Sequence, residues 1–289
     1  MTDTVGGISP FDPATEHEDI LKNIIATISG LPTTGKTETA LGTDGPRYFV
    51  SLDPNPMWKL SVERSLAKYP GDVFPLRFDP MEYVLLTPEA ALERFKKIEA
   101  FGRAARAREK GGTFILDGGT MFKGYLERAY LGESVTLGWR PKKGEKDVGI
   151  GTYQYATRNA VFRDFLAGFV GSDLDVLVTF EGRFYNGVFS STMTKGLDYI
   201  AKLPIETAVV TETTNGVTSY QHMMVVGQNP YLPEMSGYAM KLTDWKGIRT
   251  RLAMGMPDLS EVVPEAKLQR INTEVIEVAD AGDALAHQD

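Results

Sequence analysis

The chain of 289 residues contains no cysteine, and that absence excludes several classes of site. Disulfide bonds, thiolate metal sites and cysteine nucleophiles all need a sulfur atom that this chain does not have. Histidine is also scarce, and the three residues His17, His222 and His287 show no metal-ligand spacing. We therefore assign no chemistry to histidine from the sequence.

Long apolar runs and an excess of positive charge are missing as well. No apolar run approaches the about 20 residues that span a bilayer, and the N-terminus lacks the basic-then-apolar layout of a signal peptide. The 31 Lys and Arg residues are outnumbered by 38 Asp and Glu residues, which gives a net charge of -7. Contact with nucleic acid would therefore have to come from local basic loops. These features predict a cytoplasmic protein without a membrane partner.

Short β-branched or aromatic runs alternate with helical segments along most of the chain, which predicts an α/β fold. Thr87 and Pro88 mark the start of a long helix, as an N-cap and a first-turn proline. Alternating strands and helices imply a central, mostly parallel sheet with right-handed crossovers and helices on its faces. Residues 207–226 predict an added antiparallel hairpin that turns at Asn215-Gly216.

This pattern predicts one main domain with extensions. Residues 1–22 are polar and predict an N-terminal arm, and the alternating pattern predicts that residues 23–256 form the main domain. Residues 132–156 are rich in glycine, lysine and aromatic residues without a clear period, which predicts an inserted loop. Residues 257–289 predict a polar C-terminal tail.

A glycine-rich segment follows the first predicted strand and matches G-x-x-x-x-G-K-[ST] at every position. Its residues are Gly30, Leu31, Pro32, Thr33, Thr34, Gly35, Lys36 and Thr37. Glycines let such a loop wrap closely around phosphate, so that backbone N–H groups and the start of the next helix face the anion. Lys36 is expected to bridge the β- and γ-phosphates, and the Thr37 hydroxyl to ligate Mg²⁺. The motif predicts binding of a nucleoside triphosphate with magnesium.

A second strand carries a carboxylate at its end. Phe114-Ile115-Leu116-Asp117 has the Walker B pattern of apolar residues followed by one acid. Asp117 is expected at the carboxyl end of a central strand beside the P-loop, where it would hold Mg²⁺ directly or through water. The alternative interpretation is an ordinary turn aspartate.

Hydrolysis needs a group that orients or deprotonates water. An AAA+ ATPase would carry a glutamate directly after Asp117, where this chain has Gly118. A RecA-type core has its carboxylate at the end of the neighbouring strand, and Asp53 occupies that place here. Glu181 ends the strand Val176–Glu181, at the position of the polar sensor of RecA-like cores. Asp53 and Glu181 are therefore the catalytic candidates beside Lys36, with a turn or solvated carboxylate as the alternative.

Two local segments favour contact with single-stranded DNA. Residues 138–146 are basic within an acidic protein, and residues 182–189 mix cationic and aromatic side chains after the sensor strand. Positive charge attracts the phosphate backbone, and aromatic rings stack on bases. A solvated surface loop with some core aromatics is the alternative. We expect a homo-oligomer, in which Lys246 and Arg249 are the best placed cations to complete a neighbouring subunit's site.

Taken together, these segments resemble the phage-type RecA-like nucleotide-binding proteins, a family of P-loop ATPases that includes single-strand annealing and recombination ATPases. The resemblance covers roughly residues 22–252 and departs from the family pattern in the insert at 132–150, in both extensions and in lacking a sensor His or Gln. The segments that carry it are the P-loop, Asp53, Phe114–Asp117, 158–166, Val176–Glu181, 195–210 and 246–249.

The resemblance implies an ATP- and Mg²⁺-dependent ATPase with a RecA-like core, acting on single-stranded DNA in phage recombination or replication within the host cytoplasm. ATP is also favoured over GTP because the sequence has no guanine-specific Asn-Lys-x-Asp motif. Two other functions stay open. One is a P-loop kinase of small molecules or nucleotides, which would need a lid with clustered arginines. Arg103, Arg106 and Arg108 cluster in sequence, but on the long helix before Asp117 and not in an obvious lid. The other is a packaging or virion-associated protein, or one that binds nucleotide without hydrolysing it.

Overall fold

The computed structural model gives the placement of most of the chain between Lys22 and Pro264. The described residues are 22–52, 58–78, 86–108, 111–131, 152–185, 188–193, 197–214, 217–227, 230–231, 233, 236, 238–254 and 262–264. The predicted arm at 1–21, the basic segment at 138–146 and Asp53 lie outside them.

Strands and helices alternate through the first two thirds of the chain, as the sequence predicts. The strands are β1 (Ile25–Gly30), β2 (Arg47–Ser51), β3 (Val73–Arg77), β4 (Gly112–Asp117), β5 (Leu174–Tyr185), β6 (Val188–Ser191), β7 (Leu203–Thr214), β8 (Val217–Val226), β9 (Tyr238–Lys241) and β10 (Val262–Pro264). The helices are α1 (Lys36–Leu41), α2 (Trp58–Lys68), α3 (Pro88–Arg106), α4 (Gly119–Leu131), α5 (Thr152–Ala167) and α6 (Trp245–Met254), and a 3₁₀ turn covers Leu197–Tyr199.

The described strands form one mixed sheet in the order β10-β9-β8-β7-β1-β5-β4-β2-β3, with β6 paired only to β5. From β7 to β3 all neighbours are parallel. Strands β8, β9 and β10 add antiparallel pairs beyond β7, and β6 is antiparallel to β5. The predicted α/β class and the predicted hairpin are therefore confirmed, with the turn between Thr214 and Val217.

Helices cover both faces of this sheet, so its central strands are buried throughout. Every residue of β1 is buried, as the apolar run of a strand covered on two faces requires. Along β4 the side chains alternate, with Phe114 packed under α4 and α5 and Ile115 packed on the side of α1 and α6. The first face is aromatic, since Phe114 stacks at 4.7 Å on Phe169 and Phe122 at 4.8 Å on Phe162.

Helix α3 begins where its capping residues predict. The Ala90 N–H donates to the Thr87 hydroxyl at 3.3 Å, and Pro88 occupies the first turn. Both features satisfy or remove N–H groups that a helix start leaves without partners. The helix ends at Arg106, just before β4 begins at the amino edge of the sheet.

Two β-hairpins extend beyond the end of the P-loop strand. Gly30, the last residue of β1, lies opposite Glu181 of β5 on one side and Thr207 of β7 on the other. Strand β5 continues to Tyr185 and pairs with β6, and β7 continues to Thr214 and pairs with β8. Residues 182–189 are therefore not the loop predicted from their composition, because most of them belong to the β5–β6 hairpin.

Two other predicted boundaries are also wrong. Helix α5 begins at Thr152, so the inserted segment does not reach residue 156. Residues 262–264 belong to the sheet as β10, although the sequence places them in the polar tail after residue 256. In both places a tertiary contact decides the structure, namely packing of α5 on α4 and pairing of β10 with β9.

Helix α6 is attached to the rest of the fold at its start. Asp244 accepts a hydrogen bond from the Gly247 N–H at 2.8 Å, from Lys68 at 3.0 Å and from the Tyr69 hydroxyl. Burial raises the pKa of the Asp244 carboxyl, but the hydrogen bonds from Tyr69, Gly247 and Lys68 outweigh burial and lower it overall. This contact joins α6 to the end of α2.

Strand β3 is the last strand of the described order at the β2 side. It pairs with β2 through five parallel positions, and its middle residue is the exposed Pro75. Proline has no N–H to donate, so it is tolerated in sheets mainly on edge strands.

Candidate nucleotide site

The P-loop connects β1 to α1 and has the backbone geometry that its glycines permit. Gly35 has a φ of 91° and Thr33 a φ of 61°, so both lie in the left-handed region. A Cβ added at Gly30 would lie 2.2 Å from the Thr207 hydroxyl, which excludes any larger residue without a shift. Lys36 Nζ donates to the carbonyl oxygens of Gly30 at 2.9 Å and Leu31 at 2.7 Å. The lysine head is thus held over the mouth of the loop, where phosphate would be recognised.

Buried hydroxyl groups fix the loop against the neighbouring strand. Thr34 donates to the Leu31 carbonyl at 2.8 Å and exchanges a hydrogen bond with the Thr207 hydroxyl at 2.6 Å. Ser29, at the end of β1, bonds the Ser191 hydroxyl of β6 at 2.7 Å. These bonds hold the loop and the end of β1 against the bases of both hairpins. The loop is therefore preorganised before any ligand binds.

The predicted metal residues are in contact. The Thr37 hydroxyl lies 3.1 and 3.0 Å from the two carboxylate oxygens of Asp117, which is only 2% exposed. Thr179 of β5 donates to Asp117 Oδ1 at 2.7 Å and accepts from the Gly118 N–H at 2.9 Å. The structure therefore brings Thr37 and Asp117 together and adds Thr179, a buried hydroxyl that fixes the orientation of the carboxylate.

The sequence gives only a weak indication of Thr179. It is a single hydroxyl residue in the apolar run of β5, and threonine is common in strands for its shape alone. Its role becomes visible only because β5 pairs directly with β4, which carries Asp117.

The Thr37 and Asp117 oxygens fit magnesium. Mg²⁺ is held by one or two carboxylates together with hydroxyl, phosphate and water oxygens, and a larger protein cage is not needed. Within the described residues no group of three or more acidic or histidine side chains could hold a metal by itself. Thr37 and Asp117 would therefore share the ion with a bound polyphosphate.

The two carboxylates predicted to be catalytic, Asp53 and Glu181, differ in what the structure shows of them. Glu181 lies at the end of β5 level with Gly30, and its side chain is 52% exposed. Its carboxylate is 3.9 Å from the guanidinium of Arg183. Asp53 is outside the described residues, but the Leu52 N–H before it donates to the Asp117 carbonyl at 2.8 Å. Glu181 is therefore within the site, and the role of Asp53 stays a prediction.

A cleft of about 1020 Å³ opens along the carboxyl edge of the sheet above these residues. One wall is the P-loop and the start of α1, and another is formed by Gly118 to Met121 and by Thr179 to Glu181. Trp58 of α2 lies toward one end, and Tyr220, His222 and Lys241 of β8 and β9 lie toward the other. The cleft has the size of a site for a nucleotide-sized ligand.

A group of cations lies near the point where β5 extends beyond Glu181. Burial lowers the pKa of Lys123 on α4, and the nearby positive charges of Arg158 and Arg183 lower it further while Glu127 opposes them. Arg158 and Glu127 form a buried ion pair beneath it. The sequence does not single out Lys123 or Arg158, because they come from two helices that meet only in the fold.

Lys246 and Arg249 have partners within their own chain. Lys246 Nζ lies 2.7 Å from Asp44, and Arg249 lies 2.6 Å from the buried Asp175 at the start of β5. Asp175 also accepts from Trp245 at 2.8 Å and from the Ile24 N–H at 3.0 Å. Burial raises the pKa of Asp175, and these partners oppose that effect. Arg249 therefore anchors α6 at the amino edge, opposite the P-loop, and a trans-acting role stays a prediction.

Comparison with known proteins adds no assignment. No family model matches the chain, and no curated protein matches it. Among the described helices, none has the length and apolar character needed to cross a membrane.

Proposed function

We propose that this chain binds ATP with magnesium through its P-loop and hydrolyses the γ-phosphate. The observation that carries the proposal is the contact of Thr37 with Asp117, fixed from behind by Thr179. These three residues come from α1, β4 and β5, and they meet beside a complete P-loop sequence. A glycine turn that matched the motif by coincidence would not be expected to lie opposite a buried carboxylate that is held in one orientation.

The residues of the site have separate roles in this proposal. The backbone N–H groups of the P-loop and Lys36 bind the β- and γ-phosphates, and Thr37 with Asp117 holds the metal. Magnesium, when bound, neutralises charge that develops on the phosphate oxygens. Glu181 or Asp53 orients the attacking water, and Arg183 limits the repulsion between Glu181 and the phosphates.

The sheet order supports a RecA-like core for this ATPase. Strand β5 lies between β1, which leads into the P-loop, and β4, which carries Asp117. An interposed strand is the arrangement of RecA-like and AAA+ ATPases, whereas in small-molecule P-loop kinases the two strands are adjacent. An AAA+ ATPase would have a glutamate directly after Asp117, so Gly118 at that position favours the RecA-like group.

The placement of three arginines does not favour a kinase lid. Arg103 pairs with Glu99 at 3.2 Å, Arg106 bonds the Gly168 carbonyl, and Arg108 lies 4.5 Å from the centre of the Phe74 ring. All three lie in the last turn of α3 or just after it, at the amino edge of the sheet. The proposed phosphate site is at the opposite edge.

We further propose that single-stranded DNA acts on this ATPase through the β5–β6 hairpin. Arg183, 70% exposed, lies at the base of that hairpin, and Lys123 is close enough that the positive charge of Arg183 lowers its pKa. A local cationic group is the feature that an acidic protein needs to bind a phosphate backbone. The hairpin continues the strand that holds Thr179, so DNA there would lie next to the metal site. The resemblance to the phage-type RecA-like proteins implies that the ATPase acts in phage recombination or replication.

The test is ATP turnover measured with and without single-stranded DNA at low salt, with oligomer size determined in the same samples. We expect DNA to raise turnover, and Lys36→Ala to abolish it because the phosphate loses its cation. Lys96→Ala, which removes an exposed cation from α3, is the matched control and should behave as wild type.

Other outcomes separate the alternatives. Nucleotide binding without turnover, with or without DNA, would assign the chain to non-hydrolysing or packaging-type proteins. Transfer of phosphate to a nucleoside or nucleotide acceptor would assign it to the kinases. No binding of DNA by the wild-type protein at low salt would refute the DNA-dependent part of the proposal.

A further inference from the structure

The cleft above the P-loop is longer than a triphosphate needs, and its two ends differ in chemistry. The contact of Thr37 with Asp117 places the metal-bound end of the phosphate chain on the β4 side of β1. The nucleoside end must then leave the P-loop on the other side, toward β7, β8 and β9. At that end the cleft is lined by Tyr220, His222, Lys241 and Leu242.

The edge of β8 and β9 is directly beside the phosphate loop. A Cβ added at Gly35 would lie 2.8 Å from Leu242 Cδ2, so Leu242 abuts the P-loop backbone. The Leu242 N–H donates to the His222 carbonyl at 2.9 Å, which holds the two strands together at this level. A nucleoside attached to the phosphates on this side would therefore meet His222 before the residues farther along β8.

The direction of the side chains on β8 follows from strand periodicity. Met224 is buried in the cluster that contains Ala40 and Leu41 of α1. Side chains two apart share a face of a strand, so His222 and Tyr220 point to the same face as Met224, on the side of α1. In the hairpin, His222 pairs with Val209 and Tyr220 with Thr211, two and four residues beyond Thr207 at the level of Gly30.

Tyr220 is unusual because it is a large aromatic side chain that is 67% exposed within a cleft. Trp58, the aromatic residue at the other end, already has partners, since Arg77 lies 4.4 Å from its ring centre and Phe49 packs at 6.2 Å. An exposed ring supplies the flat apolar surface on which a nucleobase stacks. His222 is exposed as well and can contact the sugar or the base edge.

We infer that the edge formed by β8 and β9 is the nucleoside subsite, with the base stacked on Tyr220 and the sugar beside His222. This inference rests on the proposed function, because it assumes that phosphate occupies the P-loop. The residues that select the nucleotide base would then be remote in sequence from the P-loop.

The experiment compares binding of the magnesium complexes of a non-hydrolysable ATP analogue and of tripolyphosphate, which has phosphates but no base. In Tyr220→Ala, affinity for the ATP analogue should fall on the order of tenfold, the loss expected for one stacked base. Affinity for tripolyphosphate should stay at the wild-type value. Tyr220→Phe should retain binding of the ATP analogue because the ring remains.

Tyr199→Ala is the matched control, since it removes a tyrosine that is 73% exposed on the 3₁₀ turn. Equal affinities of Tyr220→Ala and Tyr199→Ala for the ATP analogue would overturn the subsite. Equal loss of both ligands in Tyr220→Ala would also overturn it. A wild-type protein that binds tripolyphosphate as tightly as the ATP analogue has no base subsite. A wild-type protein that binds neither ligand contradicts the proposed function itself, together with the subsite.

Discussion

Replacing Thr179 by valine tests the metal site without touching a predicted metal or phosphate ligand. Thr179 is 2% exposed, donates to Asp117 Oδ1 at 2.7 Å and accepts from the Gly118 N–H at 2.9 Å. Valine has nearly the same shape but neither donates nor accepts. The change therefore removes one hydrogen bond to a carboxylate and one to a backbone N–H, with little change in packing.

The size of the effect follows from these two bonds. A hydrogen bond to a charged group contributes about 1.5–3 kcal/mol, and an ordinary one about 0.5–1.5 kcal/mol. Gly118 is half-buried, so water replaces part of the second bond. We therefore expect the free energy of unfolding without metal to fall by about 2–3 kcal/mol. Removing a group that orients a metal ligand also weakens metal binding by about 10–100-fold.

Two measurements are needed, because stability alone would not distinguish a positioning role from a packing role. Urea denaturation without magnesium measures the free energy of unfolding. A magnesium titration of nucleotide binding, at saturating ATP analogue, measures the metal requirement. Thr179→Ser retains the hydroxyl and should restore the metal requirement of the wild type. If the valine protein is less stable but needs no more magnesium, Thr179 does not position Asp117, and our interpretation of the site is wrong.

Two further predictions concern the attachment of α6. Asp175→Ala leaves the buried Trp245 and Ile24 N–H groups without their acceptor, while the partly exposed Arg249 can turn to water, so the free energy of unfolding should fall by about 2–4 kcal/mol, measured by urea denaturation. Asp173→Ala, at an exposed neighbouring position, is the control, and a similar loss there would contradict the assignment. The lowered pKa of Asp244 stabilises the fold above the ordinary carboxylate pKa, and that contribution is lost as pH falls through the folded-state value. Asp244→Asn should therefore be less stable than wild type at pH 7, with a gap that closes below about pH 4 in denaturation at several pH values. If the difference in free energy of unfolding between wild type and Asp244→Asn stays constant down to about pH 3, the carboxylate does not have this role.

The parts of the site that depend on consecutive residues were predictable from the sequence. The P-loop is one run of eight residues whose spacing carries its own meaning. Asp117 was predictable because an apolar strand of about five residues ends on it, and parallel strands bring their carboxyl ends to one edge. The hairpin turn at Asn215-Gly216 is another local signal, and β7 and β8 end on either side of it.

The remaining features depend on contacts between segments that are far apart in the chain. Residues 182–185 have the composition of a loop, but they are strand because β6 returns to pair with them. The short strands β9 and β10 exist only because β8 offers an edge to β9, and β9 to β10. Thr179 has only a weak sequence signal and Tyr220 has none, since the roles that we propose for them depend on neighbours from other parts of the chain. The local sequence pattern therefore predicts the P-loop but not the residues that surround it.

The proline in the edge strand β3 has a consequence for how copies of this protein can assemble. An unprotected edge strand offers a ladder of backbone groups to any other chain, which is a route to uncontrolled polymerisation. Pro75 lies in the middle of the five-residue β3 and interrupts that ladder at an exposed position. In a subunit ring or filament built from this chain, the sheets of neighbouring copies would therefore not be joined by a continuous backbone ladder along β3.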